Sequence, residues 1–312
     1  MPQQANQPLP DGYQLENYRI ASVLSCGGFS IVYLAYDEND QPVAIKEYLP
    51  SQLALRKEGD ALPSISEENL ATFRYGMRCF FEEGRSLARL SHPNVVRVLN
   101  FFRANETVYM VMRYERGRTL QQQIQMRQDQ VSERLVRHVF MHLLNGLREV
   151  HTHKLLHLDI KPANVYLRTD GSPVLLDFGA ARQTLTNTRP KLAPMYTPGF
   201  AAPEQYREPD RLGPWTDVYG IGASMFACLA AFAPQAADAR LSEDHLVSAK
   251  KIWAGAYSDN VLEVIDWCLR LDPLERPQSV FALQKAIRDI PPRKRKLTFL
   301  DTLKKKLFSE VV

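Results

Sequence analysis

Asp159, Lys161, Asn164 and Asp177 fall within 19 consecutive positions of a 312-residue chain. Their types and order suit phosphoryl transfer. Asp159 can accept a proton from an attacking hydroxyl, and Lys161 can neutralise charge on the moving phosphoryl group. Asn164 and Asp177 offer hard oxygens that can hold Mg²⁺ on a nucleotide. This reaction asks little covalent chemistry of a protein, which has mainly to position the reactants and stabilise charge.

Such side chains need a framework. Residues 18–35 alternate apolar and polar side chains around a Gly27-Gly28 turn, which predicts a β-hairpin. Residues 43–48 predict a third strand. Residues 51–72 are mixed, with Gly59 and Pro63 as breakers. A helix is expected over 73–90, and strands over 95–102 and 107–114. From Ser132 a further helix begins, with Leu135, Val139, Leu143, Leu147 and Val150 on one face. Helical patterns dominate from there to Ile287, and no repeat is visible. The chain therefore divides into a small, mostly β part ending near Glu115 and a larger helical part.

The order of motifs resembles the protein kinase superfamily from about residue 16 to 290. His157-Leu158-Asp159-Ile160-Lys161-Pro162-Ala163-Asn164 is similar to the catalytic loop, and Asp177-Phe178-Gly179 to the metal loop. Val43-Ala44-Ile45-Lys46 resembles the third-strand motif, and Leu24 to Ala35 the glycine-rich loop between two strands. Glu83 stands where the family's αC helix carries the partner of that lysine. Thr197-Pro198-Gly199-Phe200-Ala201-Ala202-Pro203-Glu204 resembles the end of an activation segment. In the family, an arginine placed as Arg276 pairs with a glutamate placed as Glu204. Asp217 matches an anchor of the catalytic-loop backbone. The 44–50 and 177–182 runs look most like bacterial Ser/Thr kinases of the eukaryotic type.

The resemblance implies an α+β, bilobal kinase fold. It has a β-rich N-lobe with the αC helix over 16–115 and a mainly helical C-lobe over 116–290. ATP and Mg²⁺ (or Mn²⁺) are the implied cofactors. Lys46, Glu83, Asp159 and Lys161 are the implied catalytic set, with Asn164 and Asp177 on the metal. The nucleotide would meet Leu24, Ser25, Gly27 and Gly28 of the glycine loop. Val32 and Ala44 would cap the adenine, and Met112 takes the gatekeeper position. The backbone of Arg113 and Glu115 would pair with the adenine edge, and Tyr166 would form the floor. Thr197 favours Ser/Thr over Tyr as acceptor.

Four positions depart from the family pattern. Ser25 and Ser30 replace the outer glycines, although glycine there lets backbone N–H groups approach phosphate. Tyr166 replaces a leucine. Leu158 replaces the arginine that usually pairs with a phosphorylated activation loop, which predicts activity independent of phosphate on Thr184, Thr186 or Thr188. The rival readings are a pseudokinase scaffold and a small-molecule phosphotransferase. The complete set of charged residues stands against the first, and the Ala-Pro-Glu run with Asp217 stands against the second.

Composition narrows the setting. The chain is 45% hydrophobic and 24% charged, ordinary for a globular protein. Its four cysteines are scattered, as expected of a reducing cytoplasm rather than a disulfide scaffold or zinc ribbon. His151, His153 and His157 lack the Cys or carboxylate partners of a zinc site. Residues 1–15 are expected to be a disordered lead-in rather than a signal peptide. The uncharged run 218–237 is long enough to span a membrane, but its Gly, Ser, Pro and Gln residues fit a buried core helix. Residues 293–312 carry seven basic and two acidic side chains, net +5, so residues 1–292 sum to −1 of the chain's +4. No nucleic-acid binding is expected of the body. The 291–312 tail reads as a basic amphipathic helix that can lie on the anionic inner face of a membrane, dock on a partner, or pack on its own lobe. A protein substrate with a Ser/Thr acceptor and a cognate phosphatase complete the expected partners.

Overall fold

The computed structural model describes residues 6–126, 131–178 and 196–288. Six antiparallel strands form the first sheet: β1 (Gln14–Leu15), β2 (Tyr18–Cys26), β3 (Ser30–Tyr36), β4 (Pro42–Tyr48), β5 (Val98–Ala104) and β6 (Thr107–Arg113). Their order is β1-β2-β3-β4-β6-β5, which puts β4 inside the sheet with neighbours on both edges. Lys46 thereby lies across from Val32 on β3 and Met110 on β6.

Helix α1 (Glu67–Leu87) lies against β5 and β6, with Phe73, Phe80, Glu83 and Leu87 buried. It begins six residues before the expected 73, because residues 67–72 face solvent wholly or in part and carry no apolar stripe. The Tyr48 ring packs at a tilt against Phe73 and Phe80, with centroids 5.3 and 5.9 Å away. A Cβ on residue 76 would lie 1.9 Å from the Tyr48 hydroxyl, so only glycine lets the end of β4 come this close to α1. The strand bearing Lys46 and the helix bearing Glu83 are locked together at that contact.

Residues 6–15 correct the expectation of a disordered lead-in. Leu9 is 1% exposed, its N–H donates to the Tyr33 hydroxyl at 3.1 Å, and Gln14 and Leu15 pair with β2. Two buried leucines, Leu9 and Leu15, six residues apart amid polar residues leave no periodic trace in the sequence.

The second part has a three-stranded sheet, β7 (Gly117–Thr119), β8 (Val165–Arg168) and β9 (Pro173–Leu175). Its helices are α2 (Leu120–Gln125), α3 (Glu133–Thr152), α4 (Pro203–Arg207), α5 (Pro214–Ala230), α6 (Ala237–Ser242), α7 (Ala249–Ile252), α8 (Asp259–Cys268) and α9 (Val280–Arg288). The Ser132 hydroxyl caps α3 by accepting from the Leu135 N–H. Much of the long uncharged run lies in α5, buried from Thr216 to Leu229 and flanked by α3, α8 and α9. Among the described residues, no helix is long and apolar enough to cross a membrane. Arg276 grips Glu204 with two hydrogen bonds, at 2.8 and 2.9 Å, both side chains being buried. That pair ties the start of α4 to the loop before α9.

Candidate active site

The segment before β8 is held from below by Asp217. This carboxylate, on the first turn of α5, accepts from the N–H groups of His157 at 2.9 Å and Leu158 at 2.7 Å. His151 on α3 shares Oδ2 with the His157 N–H, its Nε2 lying 2.7 Å from that oxygen. Burial alone would raise the Asp217 carboxyl, but the His151 contact and the neighbouring histidine and backbone donors hold it below its ordinary value. Leu158 needs this restraint because its φ is +63°, a left-handed conformation unfavourable for a branched side chain. Gln205 completes the grip by donating to the Leu158 carbonyl at 2.8 Å. The Leu158 side chain is buried.

This strained turn presents Asp159. Its Oδ1 accepts from the Thr197 hydroxyl at 2.9 Å, and its Oδ2 from Asn164 Nδ2 at 2.9 Å. Lys161 Nζ lies 2.8 Å from Asp159 Oδ2 and donates to Thr197 Oγ1 at 2.6 Å. Asn164 Nδ2 also donates to the Asp159 carbonyl at 2.9 Å, which commits the amide nitrogen and turns Oδ1 the other way. His157 sets the frame between the two loops. Its Nε2–H donates to the Leu176 carbonyl at 2.9 Å, and its Nδ1 accepts from the Asp159 N–H at 3.3 Å. Its ring lies 4.4 Å from that of Phe178. Gly199 lets the segment bearing Thr197 sit close: its φ is +87°, and a Cβ there would meet the Pro234 carbonyl at 2.8 Å.

A cavity of about 420 Å³ opens between the two sheets. Leu24, Ser25, Val32, Ala44, Lys46, Glu83, Met112, Arg113, Glu115, Asn164, Tyr166 and Asp177 all line it. Of the expected nucleotide contacts, only Gly27 and Gly28 stand outside that lining, in the turn between β2 and β3. Lys46 donates to Asp177, and Glu83, 6% exposed, lines the same cavity. Asp177 has φ +55°, which turns its carboxylate out of the run of β9. The Glu115 carboxylate is occupied by Arg168 through two bonds, at 2.7 and 2.8 Å, so it is the Glu115 backbone that is left to face the cavity. Burial pushes the Tyr166 phenol above its ordinary value, and this residue lines the cavity.

Sequence reasoning brought together the catalytic loop, Thr197 and the cavity wall. It missed the roles of Gln205 and His151 as supports for the loop, whose only signal was spacing far apart in the chain. The activation-segment threonines and the basic tail lie outside the described residues. Among the described residues, no group of three His, Cys, Asp or Glu side chains forms a metal cluster.

Comparison with known proteins agrees with this architecture. The sequence matches the family described as protein kinase domain over residues 18–287. Serine/threonine-protein kinase C of Synechocystis sp. is 29% identical over 284 residues, covering 86% of this chain and 49% of that protein. Serine/threonine-protein kinase PknA of Nostoc sp. is 30% identical over 291 residues, covering 88% of this chain and 48% of that protein. The chain thus spans about half the length of the curated relatives it matches. The solved structure "PpkA-294 apo form" is 34% identical with a TM-score of 0.81, covering 90% of this chain and 99% of that one. With the match spanning most of its length, the chain belongs to the protein kinase family.

Proposed function

We propose that this chain transfers the γ-phosphoryl group of ATP to Ser or Thr hydroxyls of proteins. The observation that carries this reading is the closed set of contacts among Asp159, Lys161, Asn164 and Thr197, of which Asn164 lines the same cavity as Lys46 and Asp177. Asp159 Oδ1 and Oδ2 face the place where an acceptor hydroxyl must sit, and a carboxylate there takes the hydroxyl proton as the O–P bond forms. Lys161 stabilises negative charge on the γ-phosphoryl oxygens during transfer. Lys46 exchanges Asp177 for phosphate oxygens when nucleotide enters, and Glu83 then orients it.

The donor set fits a divalent cation. Asn164 Oδ1 and the Asp177 carboxylate are hard oxygen ligands, of the kind that Mg²⁺ or Mn²⁺ takes beside phosphate. The bound cation supplies charge neutralisation on the nucleotide. Thr197, bonded to both Asp159 and Lys161, sits where the acceptor's side chain enters and favours Ser/Thr over Tyr. A phosphatase that reverses the modification, and a docking role for 293–312, belong to the same proposal.

Label transfer from γ-labelled ATP to the chain itself and to a generic basic protein substrate tests it. Transfer should appear with Mg²⁺ or Mn²⁺, vanish on chelation and return when the ion is restored. Absence of label with either ion, on a chain that binds ATP, would refute transfer.

A further inference from the structure

The glycine loop has lost two of its three usual glycines, yet its tip is held by another part of the chain. Leu49 N–H donates to the Phe29 carbonyl at 3.0 Å, and Ser51 N–H to the Gly28 carbonyl at 2.9 Å. The Ser51 hydroxyl adds a contact to the same Gly28 oxygen at 3.2 Å. Both carbonyls at the tip are thus turned toward residues 49–51. The amide N–H groups of Gly28 and Phe29 have no hydrogen-bond partner among the described residues. The tether fixes the carbonyl side of the loop and leaves the donor side open to an anion.

Residues 49–51 are themselves anchored. Arg56, fully buried, donates to both Glu47 carboxylate oxygens at 2.6 and 2.8 Å and to the Tyr33 hydroxyl at 2.8 Å. Tyr33 and Tyr109 each donate to Glu47 at 2.7 Å, so the charge pair is fully bonded inside the sheet, one residue from Lys46. The N-terminal strap closes over the outside. Asn6 Oδ1 accepts from the Arg56 N–H at 2.7 Å, and Asn6 Nδ2 donates to the Leu49 carbonyl at 3.1 Å. Gln7 exchanges two more bonds with Arg56, at 3.1 and 2.8 Å.

We propose that residues 6–9 and 49–56 form a latch that holds the tip of the glycine loop in its phosphate-binding shape, with Asn6, Ser51 and Arg56 as positioning residues. This rests on the reading of the cavity as an ATP site. A free glycine loop loses conformational entropy when it closes on phosphate. A loop already tethered through its carbonyls loses less, and this preorganisation strengthens binding. The latch compensates for serine at positions 25 and 30 without any contact to nucleotide.

The test uses the whole chain with N6A and S51A combined. Both side chains are half-buried at the margin of the lobe, so the fold should survive. Arg56 is left alone, because its removal would strand the Glu47 carboxylate in the core. ATP affinity is read by calorimetric titration with Mg²⁺, independently of turnover, beside amide exchange and steady-state kinetics. The latch predicts faster exchange at the Leu49 and Ser51 amides. It also predicts ATP affinity weakened about three- to tenfold, with KM rising in step and kcat within about twofold. S51T, which keeps the hydroxyl, should bind ATP as the parent does. A double variant that binds ATP like the parent overturns the latch. If the parent binds ATP but transfers no phosphoryl group, the catalytic reading fails while the affinity comparison still judges the latch. If the parent binds no ATP, both fall.

Discussion

Replacing Asp217 by Asn should damage the protein twice, through stability and through the placement of Asp159. Three donors converge on this fully buried carboxylate: the N–H groups of His157 and Leu158 and the His151 ring. An asparagine retains one acceptor oxygen and sets an NH₂ group against the remaining donors. One or two buried N–H groups are then unpaired, at about 1–3 kcal/mol each, so a loss of about 2–4 kcal/mol is expected. Leu158 is also released from a left-handed conformation that costs on the order of 1 kcal/mol to hold. As it relaxes, the neighbouring Asp159 shifts, and a displacement near 1 Å lowers kcat about 10²-fold. Urea unfolding of parent and variant, with kcat on a protein substrate, reads both effects. The pH dependence supplies a further sign. The Asp217 carboxyl is held below its ordinary value in the folded chain. Its contribution is therefore complete above the unfolded carboxylate pKa of about 4 and is lost as pH falls toward the lower folded value. The gap between parent and variant should be constant from about pH 6 to 8 and shrink below about pH 4. A gap under about 0.5 kcal/mol at neutral pH, or one that widens in acid, would refute the reasoning.

Further outcomes follow from other contacts. Arg276→Met should cost about 3–5 kcal/mol by leaving Glu204 charged and buried, and adding Glu204→Gln should recover part of it, measured by the same urea transitions. Gly76→Ala should lower the unfolding midpoint and raise KM for ATP together, because a Cβ there would displace Tyr48 and with it the junction of β4 and α1. Thr184, Thr186 and Thr188 replaced together by Ala should leave activity toward an added substrate within a few-fold, since Leu158 is buried and offers no partner for a loop phosphate. A loss as deep as that of an Asp159 variant would contradict this.

The catalytic loop was legible in the sequence because its residues act within a few positions of one another and their chemistry restricts their type. The cavity wall was legible through the strand and hinge motifs. The latch was not, because Asn6, Gly28, Leu49, Ser51 and Arg56 meet only after the sheet forms, and in sequence they read as polar loop residues. Glu47 hides for a different reason. It follows Lys46 on β4, and both are buried, so strict alternation fails on this interior strand, where the Glu47–Arg56 pair fills one side and the cavity lies on the other. Helix α1 begins earlier than its apolar pattern because its first turn faces solvent and gains no burial.

The central claim is that Asp159 accepts the proton of the attacking hydroxyl. Asp159→Asn keeps the size of the side chain and an oxygen for the Thr197 hydroxyl while removing the base. Single-turnover transfer of label from ATP to a Ser/Thr substrate should fall about 10²–10⁴-fold, with ATP affinity and the unfolding midpoint close to those of the parent. Transfer at the parent's rate by a folded, ATP-bound Asp159→Asn chain would contradict the account.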